Sequence, residues 1–214
     1  MNNGIVYIVS DINRKADRIR ELRNSAESLK QMHPDLPITL FTDKDPNIVA
    51  IDDVRIVPIE GVRVKQDLLQ DSPYQNTMYV DCDTDFVGPV KESFRLMERF
   101  DLAATHDLIR KDPKKSKKYP AYAEIPDGFP EFGGGVLLFR KCKQMELFFH
   151  FWQKNFKEWV KLTGEIRDQP SFRVTVWQSK DLKFYVLPPE FNHRTKKYHN
   201  IRTRILHQHN LWKQ

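Results

Sequence analysis

With 214 residues, 40% hydrophobic and 12% aromatic, the chain has enough apolar material for one globular domain with a substantial core. No apolar run approaches the roughly 18 residues of a membrane span, and no charged-then-apolar leader opens the sequence, which argues against a membrane-embedded chain and a secreted precursor. A formal net charge of +6 favours anionic partners, and two cysteines, Cys82 and Cys142, are too few for a disulfide framework, which points to free thiols and a cytoplasmic setting.

Gly4 to Ser10 is a short continuous apolar run and reads as a buried parallel strand. From Asn13 to Met32, residues Ala16, Ile19, Leu22, Arg23, Ala26 and Leu29 recur at helical spacing, and His33-Pro34 stops that helix. Pro37 to Asp43 is a second strand, Val54 to Ile59 a weaker third, and Val64 to Gln70 a short helix. Met78 to Val80 is strand-forming and runs into Asp81-Cys82-Asp83-Thr84-Asp85. Pro89 suits the first turn of a helix through Met97, and Asp101 to Thr105 is another apolar strand.

Between His106 and Glu131 regularity fails: five prolines or glycines and six lysines or arginines crowd the segment. The basic stretch from Arg110 to Lys118 reads either as a solvated mobile loop or as a lid over a ligand. Phe132 to Phe139 returns to strand through Gly133-Gly134-Gly135. An aromatic-rich amphipathic helix follows from Cys142 to Lys161, and a further helix runs from Asp168 to about Trp177. Lys183 to Leu187 and Arg204 to His207 close the sheet. Strands alternating with helices give a parallel α/β sheet in one domain, without repeats.

The carboxylate cluster organises the rest. On an extended chain Asp81 and Asp83 point the same way, about 7 Å apart, and two carboxylates that close favour a cation between them. All-oxygen ligation suits magnesium, manganese or calcium. An EF-hand would place Glu92 at loop position twelve, but position six is Phe86 where the turn needs glycine. A phosphatase motif D-x-D-x-T fails because its fifth position is Asp85.

The third reading rests on a resemblance. Tyr79-Val80-Asp81-Cys82-Asp83-Thr84-Asp85-Phe86-Val87 resembles the D-x-D element of GT-A fold nucleotide-sugar glycosyltransferases, in particular the retaining group that includes glycogenin and bacterial lipopolysaccharide galactosyltransferases. Four further elements are similar to that family's: Lys65 upstream, Phe132-Gly133-Gly134-Gly135-Val136-Leu137, Asp168-Gln169, and His207 followed by Lys213. Departures are Asn210 for a glycine, Gly133-Gly134 for Asn-Ser, and Arg14 near where an aromatic stacks on the base.

The resemblance implies a mostly parallel, Rossmann-like GT-A sheet and one catalytic domain, 1–214, either whole or cut from a longer chain. It implies a D-x-D-dependent glycosyltransferase of the hexosyltransferase type, using manganese (or magnesium) and a UDP-sugar, with a glycan or glycoprotein hydroxyl as acceptor. Asp81, Asp83 and His207 would hold the metal, with His209 a competitor. Ser10, Asp11, Asp43, Lys65, Asp81, Gly133, Gly134 and Lys213 would bind the donor. Asp168 and Gln169 would face the anomeric carbon, and for inversion Asp168, Glu131 or Glu165 could serve as base. Asp168 also suits a helix N-cap. Two rivals stand beside this: a basic nucleic-acid-binding module, from the +6 charge, the lysine cluster and the run Arg194 to Arg204, and an inactive sugar-nucleotide binder.

Overall fold

A computed structural model describes residues 2–10, 16–59, 64–107, 111–194 and 202–207. A seven-stranded sheet is assembled from β1 (Asn3–Val9), β2 (Ile38–Thr42), β3 (Asp53–Ile56), β4 (Asn76–Val80), β6 (Leu102–His106), β7 (Phe132–Arg140) and β8 (Phe184–Leu187), in the order β3-β2-β1-β4-β7-β6-β8. All neighbours pair parallel except at β7, which is antiparallel to both β4 and β6. The parallel strands β1, β2, β4 and β6 therefore all end on one edge, and β7, running the other way, begins there. That edge carries the residues of interest.

Strand alternation sends successive side chains to opposite faces, and both faces are covered. Ile5, Tyr7 and Val9 pack with Leu22, Ala26 and Leu29 of α1 (Ala16–Met32). Val6, Tyr79, Leu137 and Phe139 meet Phe148, Phe149 and Trp152 of α5 (Lys143–Thr163) and Phe172 of α6 (Gln169–Gln178). Each such large apolar side chain, fully buried, contributes about 1.5–3 kcal/mol.

The segment between His106 and Glu131 is more regular than its composition suggests. It holds two short helices, α3 (Pro113–Lys118) and α4 (Pro120–Ala123). Asp112 caps α3 by accepting the Lys114 N–H at 2.9 Å. Tyr119, Tyr122 and Ile125 form a third apolar cluster with Trp159 and Val174. Lys115 Nζ donates to both oxygens of Glu131 at 3.0 Å, Lys111 Nζ donates to the carbonyls of Ala123 and Ile125, and Lys118 pairs with Glu165. From Lys111 onward this stretch is anchored rather than a mobile loop, and its lysines are largely engaged within the protein.

Three other expectations change. Lys91–Glu98 is a 3-10 helix, with Pro89 outside its first turn. The short helix before β4 is α2 (Lys65–Leu68), continued by one 3-10 turn, Leu69–Asp71. The last strand, β9 (Ile205–His207), does not join the main sheet: it pairs antiparallel with β5 (Thr84–Phe86), the short strand just past the aspartates. Both cysteines are free thiols. Among the described residues no helix is long and apolar enough to cross a membrane.

Candidate functional site

The two aspartates meet through a turn, not along an extended strand. β4 stops at Val80, and the chain turns over Cys82 and Asp83 before β5 begins. Thr84 Oγ1 closes the turn by donating to the Asp81 carbonyl at 2.9 Å. Cys82 is directed inward, its thiol donating to the Ile8 carbonyl at 3.5 Å, and burial pushes that thiol's pKa up. With Cys82 facing the core, the flanking carboxylates face the open edge.

The β5–β9 register sets Thr84 opposite His207, which brings an imidazole from the far end of the chain beside the turn. His207 Nδ1 lies 2.8 Å from Asn192 Oδ1, and Asn192 Nδ2 donates to Thr105 Oγ1 at 3.2 Å. An amide oxygen can only accept, so Nδ1 carries a proton, and in the neutral ring Nε2 is then a lone pair. Nε2 points at Asp83 Oδ1, 3.1 Å away, and Asp81 Oδ2, 3.9 Å away. A lone pair facing two carboxylates is favourable only with positive charge between them, as a proton on Nε2 or a metal cation.

Asp81, Asp83 and His207 each offer one ligand atom, and these atoms lie within 4.8 Å of one another. Ligands about 2.1 Å from one octahedral cation stand roughly 3–4 Å apart, so this group fits a metal ion with small adjustments. Room for it comes from Gly135. A Cβ there would lie 2.6 Å from His207 Cε1 and 2.9 Å from Asp81 Oδ2. Gly133 likewise leaves space for Asn192 Nδ2, which a Cβ would meet at 2.6 Å, so its opening is filled from within the protein. Gly134 is the glycine of the three whose backbone remains partly open.

Beside the acidic cluster lies a buried lysine. Lys65, at the start of α2 and 5% exposed, donates to the Gly134 carbonyl at 2.8 Å and stands 3.0 Å from Asp168 Oδ2 and 3.7 Å from Asp81 Oδ1. It also lies over the Tyr79 ring at 5.2 Å. Lys65 is thus a buried, partnered lysine and not a solvated one. Tyr79 donates to Asp81 Oδ1 at 2.6 Å. Burial pushes the Asp81 carboxyl upward, but Lys65, His207 and the Tyr79 hydroxyl outweigh it and hold its pKa below the usual carboxylate value.

Asp168 does not cap α6: its side chain makes no cap hydrogen bond and turns to Lys65 instead. Its Oδ2 is buried, and no hydrogen bond among the described residues reaches it despite the 3.0 Å ion pair, so the ammonium is close but poorly aligned. Gln169 Nε2 donates to Asp107 Oδ2 at 2.7 Å. Ser10 and Asp43 follow β1 and β2 at the same sheet edge, where α/β folds bind nucleotides. Asp11, Arg14, His209, Asn210 and Lys213 lie outside the described residues.

All three candidate bases are engaged in ion pairs, Asp168 with Lys65 as described. Glu131 is 1% exposed, with Lys115 on both oxygens and the Tyr122 hydroxyl donating at 2.5 Å. Glu165 pairs with Lys118. Sequence reasoning missed Tyr79, Asn192 and Asp107. Tyr79 was legible, being two residues before Asp81 on a strand; Asn192 and Asp107 carry no local signal, because only the fold brings them to the site.

No protein-family model and no curated protein matches the sequence. Solved structures do match. The galactosyltransferase LgtC, in complex with donor and acceptor sugar analogs, is 15% identical over 95% of this chain and 86% of its own, with a TM-score of 0.63. Mouse xyloside xylosyltransferase 1 is 11% identical over 99% of both chains, with a TM-score of 0.66. The glycosyltransferase GlyE of Streptococcus pneumoniae TIGR4 is 17% identical over 96% of this chain and 54% of its own, with a TM-score of 0.61. These neighbours are glycosyltransferases, and the likeness at such identities is one of fold: the chain has the GT-A fold that its motifs suggested.

Proposed function

Taking the GT-A fold as premise, we propose that the protein transfers a sugar from a nucleotide sugar, a uridine diphosphate sugar by family resemblance, to a hydroxyl of a glycan or glycoprotein acceptor. The observation that carries the reading is the convergence of Asp81, Asp83 and His207 from segments far apart in sequence, with Lys65 and Asp168 alongside. Asp81, Asp83 and His207 would hold a divalent cation, manganese being compatible with a mixed oxygen and imidazole set. Bound there, the cation supplies Lewis-acid neutralisation of the leaving diphosphate.

The chain's own groups do the rest. Lys65 is a buried positive charge held by Gly134 and Asp168, so it is oriented before substrate arrives and costs no reorganisation as negative charge develops. Asp168, 3.0 Å from Lys65, fixes that ammonium beside the partly open Gly134 backbone. Ser10 and Asp43 lie on the nucleotide side of the edge. Gln169 stands at the sugar end, on the first residue of α6.

The nucleic-acid reading loses part of its support, since Lys111, Lys115 and Lys118 are paired with Asp127, Glu131 and Glu165, while most of the run from Arg194 to Arg204 lies outside the described residues. The experiment is a thermal-shift panel of uridine, guanosine and adenosine diphosphates and their sugar conjugates, with and without manganese, followed by release of free nucleotide over time. Manganese-dependent stabilisation and turnover by a nucleotide sugar are expected, and Asp83→Ala should lose both while keeping its fold. An Asp83→Ala variant as active as the parent would end this reading.

A further inference from the structure

Asp107 has no part in the reading above, yet its side chain is hydrogen-bonded to Gln169. It lies just past β6, its N–H donating to the Glu131 carbonyl at 2.7 Å, and its side chain is 14% exposed. Gln169 Nε2 donates to Asp107 Oδ2 at 2.7 Å, and Arg194 Nη1 reaches the same oxygen at 3.1 Å. An ionised carboxylate accepts and never donates. It therefore selects one face of the amide: the NH2 end must turn toward Asp107, and the carbonyl oxygen must turn away from it.

We infer that Asp107 is a positioning residue that locks the Gln169 amide with its carbonyl oxygen presented to the sugar of the donor. This rests on the glycosyl-transfer reading, in which positive charge builds on the anomeric carbon as the diphosphate leaves. The two ends of an amide differ in sign. The oxygen end stabilises a developing cation, whereas the NH2 end opposes it, so an amide free to flip loses part of its effect without losing its place. The neighbour of Gln169, Asp168, is tied to Lys65, so the start of α6 is oriented by two side-chain contacts, one to α2 and one to the end of β6.

The test uses the full chain, with Asp107→Ala, Asp107→Asn, Gln169→Ala and the Asp107→Ala, Gln169→Ala double variant. Two readouts are taken: the side-chain amide NMR signals of Gln169, assigned by their loss in Gln169→Ala, and manganese-supported hydrolysis of UDP-glucose and UDP-galactose, followed as released UDP. Asp107→Ala should move the Gln169 amide signals toward free-amide values and lower kcat about tenfold or more, with KM changed less than about threefold. Asp107→Asn keeps one acceptor oxygen and should recover most of both. The double variant should be no slower than Gln169→Ala, since the two groups act as one unit.

Unmoved amide signals in Asp107→Ala overturn the inference, whatever the rates. So does an unchanged kcat, or losses in the double variant that multiply as independent effects would. A parent chain that hydrolyses neither donor sinks the transferase reading instead, and the amide signals then decide alone whether Asp107 holds Gln169.

Discussion

Gly135→Ala is the sharpest probe of the acidic site, because it adds one methyl group and changes no charge. The added Cβ would stand 2.6 Å from His207 Cε1 and 2.9 Å from both His207 Nδ1 and Asp81 Oδ2. Carbon atoms pack best at about 3.5–4.0 Å, so the imidazole would have to retreat by about 1 Å. It has little freedom to do so: His207 is 3% exposed, its N–H donates to the His193 carbonyl at 2.9 Å, and its ring is held by Asn192 at 2.8 Å. Overpacking of this kind costs about 1–3 kcal/mol. Metal–ligand bond lengths hold to within about 0.2 Å, so an imidazole pushed back by this much should bind the cation far more weakly. At manganese a hundredfold above its Kd, the parent should gain about 2.7 kcal/mol, or roughly 5–10 °C in Tm at about 2–4 °C per kcal/mol. Gly128→Ala, with nothing within 4 Å of its new Cβ, is the control and should keep the full shift. Thermal unfolding with and without manganese measures both variants. A Gly135→Ala protein stabilised by manganese as strongly as the parent would refute the metal-site argument.

Two other outcomes are expected. Lys115→Ala strands the Glu131 carboxylate in the interior and should cost about 3–5 kcal/mol in urea unfolding, while Lys115→Met with Glu131→Gln should regain much of it; a single variant within 1 kcal/mol of the parent by the same scale would contradict the buried pair. His33 accepts the Val90 N–H through Nε2 at 3.0 Å, and burial lowers its pKa, with Lys91 adding to this and Asp35 opposing it. The unfolded chain therefore takes up a proton that the folded chain refuses, so this contribution is complete above about pH 6.5 and is lost as the pH falls below it. His33→Gln keeps an acceptor without a titration, and its stability should fall less than the parent's between pH 7.5 and 5.5; parallel curves would show that His33 does not carry this dependence.

Much of the architecture was legible because its signals are local. The apolar run of β1, the spacing of Leu22, Ala26 and Leu29, and the abrupt change from Val80 to Asp81 each report their own surroundings. The segment from Lys111 to Ile125 was not legible, because its order comes from distant partners: Trp159 and Val174 for its aromatics, Glu131 and Glu165 for its lysines. Composition there describes a solvated loop; tertiary contacts override it. The candidate site divides in the same way. Asp81, Asp83, Lys65 and Asp168 are found by motif, but the turn that joins the aspartates, the reversal of β7 and the Asn192 bridge to His207 depend on pairings that no sequence window contains.

The small β5–β9 ribbon has a bearing on how the protein assembles. Thr84 and His207 are separated by more than half the chain, so closing that contact carries a large loop-entropy cost and belongs among the slow, non-local steps of folding. A chain part-way through synthesis could already have built its seven-stranded sheet, yet it would present Asp81 and Asp83 without their imidazole. In the proposed reading, cation capture therefore waits on synthesis through His207, and a chain clipped before that residue could keep a sound core without the third ligand.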